Sequence, residues 1–358
     1  MKHPLALALA VALTSVAVTA CKPSAEKPAA TETAVKQEAN PFFAESTLPL
    51  QYPHFDKIQD SHFAPAFERG MAEQLKEIEA IANSTEEPTF DNTIVAMEKS
   101  GRLLTRAAYV FYNLVGTDTN PEREKLQAEF APKLSAHSDA IRLDPKLFAR
   151  IKALHDKKDT LGLDAEGVRL VERYYTDFVR AGANLSDADK TKLKEMNAEL
   201  AKLGTQFSQN VLAEVNDSAI IVDTKEELAG LSDEAIAAAA EAAKERKLEG
   251  KYVLALQNTT GQPPETYLHS RALREKLHRA SVARGSRGNQ YDNTEIVAKV
   301  VKLRADRAKL LGYPTYAAYV LEDETAKSPE AVNAMLGKLA PAAVANAKVE
   351  AAALQAMI

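Results

Sequence analysis

The chain has 358 residues, 46% of them hydrophobic and 27% charged, with 45 basic and 50 acidic side chains and a formal net charge of −5. That is enough apolar material for a large core, which excludes a disordered protein. The charges are interspersed rather than gathered into a basic stripe, which excludes nucleic acid as a partner.

The first element in chain order is a leader. Lys2 and His3 precede an almost purely apolar run from Leu5 to Ala20, the order and length of a secretory signal peptide over residues 1–20. A permanent membrane span would need about 20 apolar residues, more than this run supplies. The run closes on "VTAC", and Cys21 is the one cysteine in the protein. Small residues before a cysteine, directly after the apolar region, resemble a bacterial lipoprotein signal, which implies lipid attachment at Cys21 and cleavage just before it. One thiol permits no internal disulfide, so an oxidising compartment is no hazard to the fold. Several acyl chains on one residue would give a stable hold on a membrane where a single chain would not. The expected place is therefore the bacterial cell envelope, on the periplasmic side, and Lys22 rather than Asp after the cysteine leans toward the outer membrane. Residues 21–39 then read as a flexible tether rich in Ala, Pro, Thr, Lys and Glu, with no aromatic residue. At ~3.3 Å per residue the tether reaches at most ~60 Å, and the folded part spans 40–358.

From residue 62 onward the apolar spacing is helical almost everywhere. Asn120 with Pro121, Asp144 with Pro145, and Ser328 with Pro329 each set a capping side chain before a proline suited to the first helical position. Ser186 opens a long helix whose stripe carries Leu193, Met196, Leu200, Leu203, Phe207 and Val211. Further helices are expected at 62–82, 91–116, 121–141, 165–181, 233–246, 265–282 and 293–311. Only "SAIIV" at 218–222 and "YVLALQ" at 252–257 read as strands, and they are expected to pair as a small ribbon, with a helix and a turn at Gly250 between them. "AGANLSD" near residue 184 interrupts two helices and is a possible domain boundary. The last helix, from Ser328, keeps apolar spacing through Val332, Met335, Leu336 and Leu339 to Leu354, Met357 and Ile358, and reaches the final residue with no stop signal. Such a face needs a partner, either earlier in the chain or in sequence beyond Ile358.

Candidate chemistry is sparse. A zinc hydrolase commonly draws two ligands from His-Glu-x-x-His on one helix, but the histidines at 3, 54, 62, 137, 155, 269 and 278 include no pair four apart. His269 and His278, nine apart, fall on opposite faces if they share a helix. His54, Asp56, Asp60 and His62 in "PHFDKIQDSHF" match no metal template and read as loop and cap residues. "RGSRGNQ" at 284–290 lacks the spacing and the lysine of a phosphate loop and reads as a surface turn. Acidic residues among Lys and Arg at three- and four-residue spacing read as solvated helix faces, and Tyr174, Tyr175 and Phe178 read as core. No catalytic and no metal-binding residue is assigned in this chain.

Several stretches together resemble one family. "FDNTIVAMEKSGRLLTRAAYVFYNLVGTDTN", "NAELAKLGTQFSQNVLAE" and above all "YDNTEIVAKVVKLRADRAKLLGYPTYAAYVLEDETAKSPEAV" are similar, in order and spacing, to the thimet oligopeptidase and peptidyl-dipeptidase family of zinc metallopeptidases. "LDAEGVRLVERYYTDFVRAGANLSDADK" looks closest to the bacterial peptidyl-dipeptidases. One departure is "ETA" at Glu324 to Ala326, where the family would place a Met-Ala pair. The resemblance covers about Asn40 to Ile358. It implies a mainly α fold, a large helical domain with one small β ribbon that forms the front half of a two-lobed peptidase with a deep channel. It implies zinc as cofactor and short unfolded peptides as substrates, with C-terminal dipeptides removed. The family's His-Glu-x-x-His helix and its third ligand have no matching positions here. The resemblance thus implies a partner, the catalytic half, and a chain that is inactive alone. The alternative from another class is a non-enzymatic envelope lipoprotein that binds peptides or acts as a helical scaffold.

Overall fold

The computed structural model describes residues 40–358; the signal segment, Cys21 and the tether lie outside the described residues. Asn40–Ile358 forms one compact unit, with no boundary at residue 184. The architecture is mainly α, with one two-stranded ribbon.

The chain enters through short turns, of which Pro41–Phe43 buries Phe42 and Asp60–His62 leads into α1 (Phe63–Ala82). After a wide helical turn at Phe90–Val95 come α2 (Ala96–Glu98), α3 (Arg102–Thr117), α4 (Pro121–Arg142), α5 (Pro145–His155), α6 (Ala165–Ala181) and α7 (Asp187–Asp217). Next are β1 (Ile220–Val222), α8 (Asp233–Glu245), β2 (Tyr252–Leu254), α9 (Asn258–Tyr267) and α10 (Arg271–Val282). The series closes with α11 (Thr294–Leu310), α12 (Tyr316–Leu321) and α13 (Pro329–Met357).

The caps fall where the sequence places them. The side chains of Asn120, Asp144, Ser186 and Ser328 accept from the backbone N–H three residues on, at 2.9, 2.7, 3.2 and 3.2 Å. Each satisfies a donor that the first helical turn leaves free.

Two expected helices are broken. The stretch 91–116 divides at residues 99–101, because Gly101 turns left-handed (φ 71°) and its N–H donates to the Glu77 carboxylate at 2.8 Å instead of continuing a helix. The stretch 265–282 divides at 268–270. There Leu268 leaves the helical conformation to enter the core, His269 N–H donates to the Ala229 carbonyl at 2.9 Å, and Ser270 caps a new helix. His269 and His278 therefore do not share a helix. The ribbon forms as expected but is shorter, with Ile220 opposite Leu254 and Val222 opposite Tyr252 in an antiparallel pair.

Three apolar cores hold the unit together. Phe63, Phe67, Phe111 and Phe130, all fully buried, join α1, α3 and α4, with ring centroids 5.1–5.2 Å apart for the contacts of Phe63 and Phe67 with Phe111 and of Phe67 with Phe130. Each such pair adds about 0.5–1.5 kcal/mol beyond burial. α1 and α3 approach closely at Gly70, where a Cβ would stand 2.8 Å from the Leu104 backbone. A second core packs α5 and α6 around Ile94, Leu147, Ile151 and Val171. A third packs the ribbon against Leu228, Leu268, Leu273 and Leu277. α7 then runs against both α4 and α11.

Candidate functional site

The residues of the "PHFDKIQDSHF" stretch do not converge on a shared point. Asp60 accepts from Arg123 Nε and Asn120 Nδ2, both at 2.7 Å, which ties the entry turn to α4. His62 Nδ1 accepts from the Gln59 N–H at 3.0 Å as a cap, and His54 lies 3.7 Å from Asp56. The other histidines are engaged separately. His137 Nε2 meets Gln74 Oε1 at 2.7 Å, with burial lowering its pKa, and His155 stacks on Tyr175 with centroids 3.9 Å apart. His278 lies exposed, 3.8 Å from Glu265. Among the described residues no group of three or more His, Cys, Asp or Glu is arranged to hold a metal ion. The described residues therefore do not fit a zinc ion.

An open site lies between α7, α10 and α11. It is a groove of about 580 Å³, walled by Phe207, Val211, Val215 and Val297. The stripe of α7 explains it. Leu193 and Leu203 are buried against the rest of the fold, but Phe207 and Val211 are 39% and 45% exposed. The apolar face continues on α11 through Val297 and Val301, both exposed, and α13 separately exposes Met335, Leu336 and Leu339. Every residue of α13 from Asn333 onward is exposed, so no described part of the chain covers this ~40 Å helix.

One end of the groove is closed by a clamp that sequence reasoning missed. Glu214, on α7, is 1% exposed, which corrects the reading of the acidic residues as solvated faces. Its carboxylate accepts from Arg287 Nε (2.6 Å) and Nη2 (2.9 Å), Asn289 Nδ2 (3.0 Å) and the Gly285 N–H (3.4 Å). These donors, Arg287 first, hold the carboxyl below the usual glutamate range. All come from "RGSRGNQ", which is a turn, as read, but one wrapped around a buried charge. A carboxylate so fully occupied has no lone pair free for proton transfer and serves to fix the turn. Beside it, Asn210 Nδ2 donates to Asn293 Oδ1 at 2.9 Å and Asn293 Nδ2 to the Phe207 carbonyl at 3.3 Å, which pins α7 to the start of α11. The signal was available: Glu214 stands three residues beyond Val211 and seven beyond Phe207, on the apolar stripe itself.

Tyr174, Tyr175 and Phe178 are packing residues, as expected. Phe178 is buried, Tyr175 stacks on Phe148, and Tyr174 donates to Glu98 Oε1 at 2.7 Å. The end of α6 is tied to α12 by Arg180, which donates to Glu322 (2.6 Å) and the Tyr319 carbonyl (2.8 Å).

The groove is walled by apolar side chains, and the Glu214 and Asn293 clusters beside it are internally hydrogen-bonded. The profile of Peptidase family M3 matches residues 266–358. The chain is 43% identical over 319 residues to the dipeptidyl carboxypeptidase of Escherichia coli (strain K12), covering 89% of this chain and 47% of that protein. It is 42% identical over the same length to the Salmonella typhimurium dipeptidyl carboxypeptidase, and 28% identical over 312 residues to the Escherichia coli oligopeptidase A, covering 86% and 46%. These are metallopeptidase relatives, to which the chain is similar, and it spans about half the length of the curated relatives it matches.

Proposed function

We propose that this chain supplies one wall of a channel in which short, unfolded peptides are hydrolysed with release of C-terminal dipeptides. The zinc ligands would come from the half of the relatives' length that this chain does not match, and the chain alone would be inactive. The observation that carries the reading is the open apolar groove between α7 and α11, with further exposed apolar residues on α13. An exposed apolar groove is suited to side chains of an extended peptide and to a second lobe. Zinc, when bound by that second lobe, would supply an activated water. This chain's part is to bind the peptide, exclude bulk water along the groove and hold α7 and α11 in register through Glu214 and Asn293. We further propose that lipid attachment at Cys21 holds the domain at the periplasmic side of the bacterial envelope.

The test is a chimera in which residues 40–358 replace the matching portion of the Escherichia coli dipeptidyl carboxypeptidase, assayed beside the chain alone on an N-blocked pentapeptide. The chimera is expected to carry zinc and release C-terminal dipeptides, and the chain alone to bind the peptide without cleaving it. A chimera that folds and holds zinc but neither binds nor cleaves peptide removes the channel-wall reading. Cleavage by the chain alone removes the division of labour.

A further inference from the structure

The segment that enters the fold carries an apolar patch that shares no residue with the α7–α11 groove. Between Glu45 and Asp56, "STLPLQYPHF" holds no Asp, Glu, Lys or Arg, yet Leu50, Tyr52 and Phe55 are all exposed, Leu50 fully so. Tyr52 and Phe55 lie ring beside ring, with centroids 5.7 Å apart. Tyr109, exposed on α3, lines the same hollow as Gln51 and Pro53, which extends the patch onto that helix. The loop is built rather than loose. Ser46 Oγ donates to the Tyr52 carbonyl at 2.6 Å and accepts from the Leu48 N–H at 3.2 Å, which draws its two ends together. Within it Leu50 and Gln51, neither a glycine, both hold φ 56°, a left-handed backbone that a residue with a β-carbon adopts only when its surroundings impose it. The result is a leucine held out in solvent, against the tendency of such a side chain to be buried.

We propose that this patch is a membrane-contact surface, with Leu50 entering the acyl boundary of a lipid bilayer and Tyr52, Phe55 and Tyr109 lying at the headgroups. A leucine flanked by tyrosines matches that boundary, because a ring that carries a hydroxyl favours the level where apolar and wet regions meet. The place of the patch in the chain selects a bilayer over a protein as its occupant. Residues 21–39 join Cys21 to Asn40, whose Nδ2 donates to the His62 carbonyl at 2.8 Å. Phe42 is buried just after it, and its carbonyl accepts from Arg106 Nη2 at 3.0 Å, one turn of α3 before Tyr109. A lipid on Cys21 would therefore deliver this edge of the domain to the bilayer first. The choice of occupant rests on the lipid attachment proposed above. A loop that inserts one leucine and a few rings binds weakly alone, but a tether multiplies its local concentration at the surface, and the two together fix which edge of the domain faces the membrane.

The chain has no tryptophan, so an indole placed at position 50 is a unique probe. The full chain carrying Leu50→Trp is mixed with vesicles of phosphatidylethanolamine and phosphatidylglycerol whose acyl chains are brominated. Beside it is the full chain carrying Glu249→Trp, at an exposed position in the turn before β2, which controls for the indole's own affinity for lipid. Emission from position 50 is expected to fall about threefold and from position 249 by less than about a fifth, the contrast that insertion of one edge requires. Adding Tyr52→Ala and Phe55→Ala to the Leu50→Trp chain should restore most of the emission; both side chains are exposed, so the fold is kept. The lipid on Cys21 is read separately by mass spectrometry. A chain that sediments with the vesicles but is quenched equally at both positions overturns the patch and leaves the anchor standing, whereas quenching at position 50 with Cys21 unmodified keeps the patch and removes the anchor. Failure to sediment with vesicles overturns the patch, as does unchanged quenching after Tyr52→Ala and Phe55→Ala. Shielding of the position-50 indole from iodide before vesicles are added would assign the surface to a second copy or another protein, and overturns it too.

Discussion

Replacing Arg287 with methionine should destabilise the fold by about 2–3 kcal/mol. The substitution removes two charge-assisted donors from Glu214, whose carboxylate is 1% exposed. Stripping the partner from a fully buried ion pair costs about 3–5 kcal/mol. Here the loss is smaller, because Asn289 and the Gly285 N–H still donate and the Arg287 side chain is 30% exposed, so water can enter its place. Glu214→Gln should cost less, about 1–2 kcal/mol, since a neutral amide is cheaper to bury and Arg287 keeps its contact with Asp217. The double variant should cost less than the sum of the two, the difference measuring the coupling. Urea unfolding followed by circular dichroism reads all three. The pH dependence has a definite sign. The folded carboxyl titrates below its unfolded value, so its contribution is full above about pH 4.3 and is lost as pH falls through the lower folded value. Glu214→Gln should therefore flatten the acid limb of the stability curve. An Arg287→Met variant within 0.5 kcal/mol of the parent (~0.5 being the ordinary scatter of surface substitutions), with an unchanged acid limb, would refute the clamp.

Three further outcomes are expected. Gly70→Ala places a methyl group 2.8 Å from the Leu104 backbone, which cannot rotate away, and should cost about 1–3 kcal/mol as α1 and α3 separate, read as a lowered thermal midpoint. Phe111→Ala empties the centre of the aromatic cluster between α1 and α3 and should cost about 3–5 kcal/mol in the same assay. Val301→Glu, at a position 60% exposed, should leave stability within about 0.5 kcal/mol yet reduce self-association of the chain in sedimentation velocity; a parent chain that is monodisperse at the same concentration would show that the apolar face is not adhesive.

The features that were legible in the sequence are those decided within one turn of helix. The caps at Asn120, Asp144, Ser186 and Ser328 each join a side chain to an N–H three residues away, so the local sequence contains both partners. The breaks at 99–101 and 268–270 were not legible, because their causes are distant: Gly101 is drawn off by Glu77 and His269 by Ala229. Periodicity ran through both places, and tertiary hydrogen bonds overrode it. The Glu214 clamp was hidden for the same reason, its donor Arg287 lying 73 residues further along. A carboxylate interrupting an apolar stripe was the trace it left.

The α7 stripe also shows what periodicity does not contain. From Leu193 to Val211 the spacing is continuous, and nothing in it distinguishes the half that α4 and the neighbouring helices cover from the half that lies open. Only the fold divides them. The open half begins at Phe207, where the apolar stripe turns to the groove while Asn210 and Glu214 on the same stretch stay buried, and α11 starts beside it at Asn293. The Asn210–Asn293 bond fixes that spacing at a buried, uncharged point, and the Glu214 clamp fixes the turn that leads into α11. Two polar devices, each fully satisfied, therefore hold an apolar groove open that hydrophobic collapse would otherwise tend to close. Groove width should then depend on Asn293 more than on any apolar residue lining it. That ordering, polar residues setting the geometry and apolar ones the affinity, is what the proposed peptide wall would require.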